Sequence, residues 1–357
     1  MANRVFRIAA VPADGVGSEV VQAGKTVLES LAADSDGEFA FEWSEYPWGT
    51  DYYQRTGRMM PEDGLDQLRG SDAIYFGAVG WPSVPDHITL WGLRLAICQG
   101  FDQWANIRPV TFHPGVTSPL RQIEDTTPDW VVVRENSEGE YSGLGGRNLA
   151  GRGPGNEVAV QSALFTETGC ERIIRFAFDL ARSRQRKHVT SVTKSNAQQY
   201  GMVLWDEVFE RVAAEYPDVE SDSCLVDAAA ARFVLHPEDL SVVVASNLHA
   251  DILSDLGSAM AGSLGLATSA NLNPENRTPS MFEPVHGSAP DIAGKGIANP
   301  IGAIGSAALM LSHFGLDEPA SRIRHAINTT TAAGVLPTDL GGNATSERIT
   351  KTIVDHL

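Results

Sequence analysis

An α/β fold is predicted by three features of this chain. Short, β-branched apolar runs alternate with segments of helical period. The apolar runs end in polar or glycine residues, and no internal repeat, heptad pattern or low-complexity tract interrupts the alternation. The 357 residues suffice for two domains with a sizeable core, and 43% hydrophobic with 20% charged residues is an ordinary globular balance.

"VFRIAAVP" reads as the first strand, and "DGVGSEVVQAGKTVLESLA" as a glycine turn leading into a helix of period near 3.6. "DAIYFGAVG" is a buried strand ending in glycines. Four central strands share one pattern: "WVVV" runs into Arg134, "HVTSVT" into Lys194, "SCLV" into Asp227, and "VVVAS" into Asn247 and then Asp251. Ligand sites in α/β sheets lie at the carboxyl ends of strands, so these four point to a shared site. The Gly-rich stretch Tyr141 to Asn156 reads as a long loop or extended arm. "IGAIGSAALML", from Ile301, is too short to span a bilayer and suits a closely packed helix.

Lys and Arg total 27 against 45 Asp and Glu, a net charge of −18, which argues against nucleic acid as a partner. Any site for an anionic substrate must therefore concentrate positive charge locally. Cys98, Cys170 and Cys224 are too few and scattered for a disulfide framework or a CxxC metal site. The opening "MANRVFRIAAVPADG" lacks a signal-peptide pattern, so a cytoplasmic location with no membrane partner is expected.

Asp251 and Asp255 lie four residues apart in "NLHADILSDLG" and leave one helix face about a turn apart. Either one is a solvated first-turn charge, or both hold a hard cation. Asp227 would add a third carboxylate, and Mg²⁺ or Mn²⁺ suits such a set. Arg108 in "WANIRPV", Arg134 and Arg94 are candidates to clamp carboxylates bidentately; Arg108 alone is as readily a surface salt bridge. A lysine held near a metal and arginines is expected to have a lowered pKa, which suits Lys194 to a general base rather than a solvated strand-end charge. Tyr141, in "RENSEGEYSG", either donates a proton or packs the loop.

"MFEPVHGSAPDIAGKGIANP", from Met281, is not GxGxxG, and no Walker loop occurs. Its Gly287, Ser288 and Ala289 would expose backbone N–H groups to a phosphate. His286 could stack on a base, and Asp291 could accept from ribose hydroxyls.

The sequence resembles the isocitrate and isopropylmalate dehydrogenases, the decarboxylating β-hydroxyacid dehydrogenase family. "PADGVGSEVV", "FGAVG", "ANIRPV", "VRENSEGEYSG", "VTKSNAQQYG", "NLHADILSDLGSAMAGSLG", "EPVHGSAPDIAGKGIANPIGA" and "DLGGNAT" carry that resemblance over essentially the whole chain. "PDHITLWG" followed by "FDQWANIRPV" is most similar to the tartrate and D-malate dehydrogenase branch. The resemblance implies an isopropylmalate dehydrogenase-like two-domain fold, not a standard Rossmann fold. A discontinuous nucleotide-side domain, 1–104 with 262–357, would enclose a smaller inserted domain, 105–261, with a dimerisation arm. By position, Arg108 and Arg134 match substrate arginines, Tyr141 the acid, Lys194 the base, and Asp227, Asp251 and Asp255 the metal ligands. Glu283, His286, Gly287, Ser288, Ala289, Asp291 and Asn299 match cofactor-binding positions, and Asn196 one near the nicotinamide. The family's dimer draws the lysine and first aspartate from the neighbouring subunit, so a homodimer with a shared active site is implied.

One register departs from the family. Another substrate arginine is expected ten residues before Arg108, where Cys98 stands, while Arg94 lies one turn earlier on the helix. Either Arg94 reaches the substrate, or one carboxylate contact is lost. Trp91 could fill the space a large side group needs, which favours a small four-carbon diacid. The expected activity is NAD- and divalent-metal-dependent oxidation with decarboxylation of tartrate or D-malate. Isopropylmalate is the alternative substrate, and a non-catalytic nucleotide-binding regulatory subunit or a metal-dependent hydrolase the alternative classes.

Overall fold

A computed structural model describes residues 4–120 and 128–357. Its strands are β1 (Arg4–Ala13), β2 (Phe39–Glu45), β3 (Ala73–Ala78), β4 (Ala105–Thr111), β5 (Asp129–Glu135), β6 (Gly145–Asn148), β7 (Val158–Gln161), β8 (His188–Thr193), β9 (Glu220–Leu225), β10 (Val242–Ala245), β11 (Thr268–Leu272) and β12 (Ser280–Pro284). The chain forms two compact units, one from Met1–Gln103, Arg108–Thr127 and Gly257–Leu357, the other from Trp104–Ile107 and Pro128–Leu256. Arg108 and the residues after it therefore group with the first unit rather than with the inserted segment. One reason is local: His113 Nδ1 hydrogen-bonds Asn328 Oδ1 at 2.8 Å, tying this stretch to the helix Asp317–Ala332.

In the first unit β2, β1, β3 and β12 run parallel in that order, and β11 pairs antiparallel with β12. All six residues of β3 are buried, because helices cover both faces of a parallel sheet and its strands become continuous apolar runs. The helix Gly17–Asp34 turns Val20, Val27, Leu28 and Leu31 inward at helical spacing. Since β1 lies between β2 and β3, the strand order reverses beside it, the place where open α/β sheets hold ligands. Buried Asp14 pins the carboxyl ends of β1 and β3: its carboxylate accepts from Thr50 N at 2.7 Å, Thr50 Oγ1 at 2.9 Å and Gly80 N at 2.8 Å.

In the second unit β5, β10, β8 and β9 are parallel in that order. The helix Glu167–Arg182 starts at Thr166, whose side chain accepts from Gly169 N, and it buries Ile173, Ile174, Ala177 and Phe178. Trp205 fills the space beside β8 and donates Nε1 to Ser191 Oγ at 2.9 Å. β6 and β7 form a separate antiparallel ribbon, all eight residues exposed, so the Gly-rich stretch is an arm rather than a loop. Among the described residues, no helix is long and apolar enough to cross a membrane.

Candidate active site

The second unit holds two polar clusters at its strand ends. The first gathers Arg134 at the end of β5, Tyr141, and Asn247 and Asp251 on the helix Asn247–Met260. Arg134 is buried; its Nε donates to Asn247 Oδ1 at 2.9 Å and its Nη1 to Asp251 Oδ1. Tyr141 Oη donates to Asp251 Oδ2 at 3.1 Å, and the Arg134 guanidinium lies 5.2 Å from the Tyr141 ring centre. Tyr141 occupies a single turn between Gly139 (φ 67°) and Gly143 (φ 76°), left-handed positions that only glycine takes cheaply. Asn247 Nδ2 donates to the Glu138 carbonyl at 3.0 Å and so ties that turn to the helix. The arginine, the phenol and one carboxylate are thus fixed against one another.

The second cluster is Lys194, just after β8, and Asp227, in the first turn of the helix Val226–Leu235. Lys194 Nζ donates to Asp227 Oδ1 at 2.5 Å, and the ammonium beside it holds the Asp227 carboxyl below the usual range. Asn196 is exposed two residues beyond Lys194. Asp255 is exposed one turn beyond Asp251 on the same helix. Asp227, Asp251 and Asp255 are not brought together within one chain. Among the described residues, the trio of ligating side chains within reach of one ion is the exposed His236, Glu238 and Asp239.

In the first unit, a cavity of about 520 Å³ is lined by Val16, His286, Gly287, Ala289, Ile292 and Asn299 among others. The loop after β12 is held against the turn after β1 by a 2.8 Å bond from Val16 N to the Ser288 carbonyl. A Cβ on Gly15 would stand 2.0 Å from that oxygen, so the turn requires glycine. Ala289 sits at φ 41°, a conformation an L-residue keeps only when its surroundings impose it. His286 Nε2 is buried without a partner, and burial lowers the ring's pKa below the usual imidazole range. A neutral ring, an unsatisfied nitrogen and backbone open at Gly287 fit a nucleotide. Asp291 is exposed, and Asn299 Nδ2 donates to Asp339 Oδ2 at 3.0 Å.

Arg94 stands beside Glu283, one of the cofactor-binding candidates. It ends a π-helical turn, Leu90–Arg94, in the helix that continues as Leu95–Gly100. Its Nε donates to Glu283 Oε1 at 2.8 Å and its Nη2 lies 2.6 Å from the same oxygen, with the two side chains only 11% and 5% exposed. Asn271 Nδ2 also donates to Glu283 Oε1, at 2.7 Å. Cys98 lies in the apolar core with Leu93, Ile97 and Phe101, where an arginine would bury an unpaired charge. The family register at Cys98 thus belongs to the core, and Arg94 forms a buried ion pair with Glu283. Arg108 is buried on β4 and Trp91 half-buried. Asp14 and Asn271 carry structure that the sequence did not single out for a role; the Asp-Gly turn in "PADG" was the available signal for Asp14.

Comparison with known proteins places these residues in context. The family model described as isocitrate/isopropylmalate dehydrogenase matches residues 7–357. The chain belongs to this family. It is an α/β oxidoreductase acting on CH–OH groups. A probable tartrate dehydrogenase/decarboxylase of Agrobacterium vitis is 57% identical over 354 residues, 99% of this chain and 98% of the relative. The D-malate dehydrogenase [decarboxylating] of Escherichia coli (strain K12) is 49% identical, over 98% of each chain. The crystal structure of isocitrate dehydrogenase from Methylococcus capsulatus matches with a TM-score of 0.88 at 32% identity, covering 98% of this chain and 99% of that one.

Proposed function

We propose that this family member catalyses the NAD- and divalent-metal-dependent oxidation, with decarboxylation, of a small 2-hydroxy diacid, tartrate or D-malate. The observation that carries the reading is the pair of second-unit clusters: Lys194 on Asp227, and Tyr141 with Arg134 on Asp251. Each couples a proton-carrying group to a carboxylate, and a regulatory paralogue would have no need of either. The donor set is all carboxylate oxygen, the chemistry of Mg²⁺ or Mn²⁺. Asp251 and Asp255 would hold the ion together with the partner subunit's Asp227.

When bound, the ion acidifies the substrate hydroxyl and stabilises the charge left by CO₂ loss, while NAD⁺ takes the hydride. The chain's own groups do the rest. Arg108 and Arg134 clamp the carboxylates, Arg134 in the orientation that Asn247 sets. Lys194 of the partner subunit accepts the hydroxyl proton at Nζ, with Asp227 holding that nitrogen in place. Tyr141 Oη, already directed at Asp251, delivers a proton to the carbon that loses CO₂. His286, Gly287, Ser288, Ala289 and Asn299 would hold the nucleotide, Asp291 would accept from its ribose, and Glu283 and Asn196 would serve the nicotinamide end.

Arg108 and Arg134 are the two arginines proposed for the substrate, and Trp91 would narrow the space for a side group. Both features favour a four-carbon diacid over isopropylmalate, as do the names of the relatives. The homodimer rests on uncovered apolar surface of the second unit. On the β6–β7 ribbon Val158 and Val160 are 49% and 59% exposed, and Leu235 and Ile252 are 65% and 57% exposed. A two-stranded ribbon is marginal in water alone, so a second copy covering it is the economical arrangement. The function is tested by kcat/KM for tartrate isomers, D-malate, isopropylmalate and isocitrate, followed by NADH absorbance with Mn²⁺. The reading expects the four-carbon acids to lead, and is overturned if isopropylmalate or isocitrate does.

A further inference from the structure

A second cavity, of about 680 Å³, opens in the first unit and contains none of the groups assigned above. It is lined by Arg4 and Arg7 at the start of β1, Arg69, Arg277 just before β12, and Phe314. These residues stand at the amino-terminal ends of parallel strands, whereas the His286 loop comes after the carboxyl end of β12. The two cavities therefore occupy opposite ends of one sheet.

The charge there runs against that of the molecule. The chain carries −18, yet four arginines line this one cavity against a single carboxylate, Asp72. Asp72 is already taken by Arg7: Oδ1 accepts from Nη2 at 3.1 Å and Oδ2 from the Arg7 backbone N at 2.7 Å. Arg69 lies 3.6 Å from Asp66. The other two guanidiniums have no carboxylate partner among the described residues. Arg4 donates Nη2 to the Phe314 carbonyl at 2.9 Å and covers the Phe6 ring at 4.9 Å. Arg277 is exposed and forms no ion pair among the described residues. Arg4 thereby satisfies a carbonyl just past the helix Ile301–His313 and offsets the negative end of its dipole, which would otherwise oppose an anion. Beneath them Phe6 and Phe314 stack at 4.2 Å, a rigid apolar floor that fixes the rim.

We propose that this cavity is a binding site for a small polyvalent anion, a polycarboxylate or a phosphate, separate from the active site. Two unneutralised guanidiniums with a third beside them match a ligand carrying several carboxylate or phosphate oxygens. The cavity volume lies in the range of small-molecule sites.

Calorimetric titration of the full chain with citrate and, separately, with pyrophosphate tests this, comparing wild type with Arg4→Gln/Arg277→Gln. Wild type should bind at least one probe saturably, and the double variant should lose about tenfold in affinity per arginine. A citrate-only response identifies the carboxylate class and a pyrophosphate-only response the phosphate class. The melting temperature controls for folding. Should the double variant melt early, Arg277→Gln alone carries the test, because that exposed side chain braces nothing among the described residues, and about a tenfold loss is again expected. Absence of saturable binding by either probe, or equal binding by the variants, would overturn the site.

Discussion

Replacing Arg94 by Met separates its two readings, substrate clamp and internal strut. The change keeps an unbranched apolar stem and removes both guanidinium contacts to Glu283, at 2.8 and 2.6 Å. Glu283 is 4% exposed and would retain only the 2.7 Å bond from Asn271. Breaking a buried pair by deleting one partner costs about 3–5 kcal/mol, because the remaining charge stays uncompensated. The surviving Asn271 bond argues for the lower end, about 3 kcal/mol, or about 6–12 °C in melting temperature for a unit of this size. Adding Glu283→Gln removes the stranded charge and should recover most of that loss, giving a coupling energy in a double-mutant cycle. Urea unfolding of the four proteins provides the numbers. A destabilisation below about 1 kcal/mol, combined with a raised KM for the diacid, would refute the strut and return Arg94 to the substrate.

Lys194→Met and Tyr141→Phe should each abolish turnover, yet their co-expression should restore about a quarter of wild-type activity if each site joins residues of two subunits; no recovery would place the site within one. Asp291→Lys with Ile292→Tyr should move kcat/KM from NAD towards NADP, since the exposed Asp291 carboxylate would repel a 2′-phosphate and accept from ribose hydroxyls; an unchanged preference would remove Asp291 from the ribose. Acid should also destabilise the fold. Burial lowers the pKa of His113, His188, His286 and His313, so as pH falls below about 6.5 the unfolded chain binds protons first and stability drops, returning as pH rises. His313→Phe, which keeps the aromatic contact with Phe282 and Phe314, should flatten the dependence between pH 7 and pH 5. A slope identical to wild type would contradict that cause.

Parallel strands advertise themselves, and "VVVA" and "AIYFGA" were readable because both sheet faces are covered and every residue is apolar. The polar residues that end those strands were readable for the same reason, as the scaffold leaves them nowhere else to point. Pairings across the sequence were not. Asp227 meets Lys194 because β8 and β9 lie side by side, and Glu283 meets Arg94 because a helix packs against β12; no local pattern encodes either. The π turn at Leu90–Arg94 was not readable either, because spacing counted at 3.6 residues presumes an unbroken α-helix. The arm was ambiguous because its residues are exposed in the single chain, and a ribbon that packs on nothing within its own fold carries little alternation to read.

The central claim is oxidation coupled to decarboxylation at a metal-dependent site. It is tested most directly by measuring NADH and CO₂ together from D-malate with NAD⁺ and Mn²⁺, before and after chelation. The two products should appear one for one, both should vanish when the ion is chelated, and both should return when it is restored. NADH formed without CO₂, or turnover indifferent to the chelator, would contradict that claim.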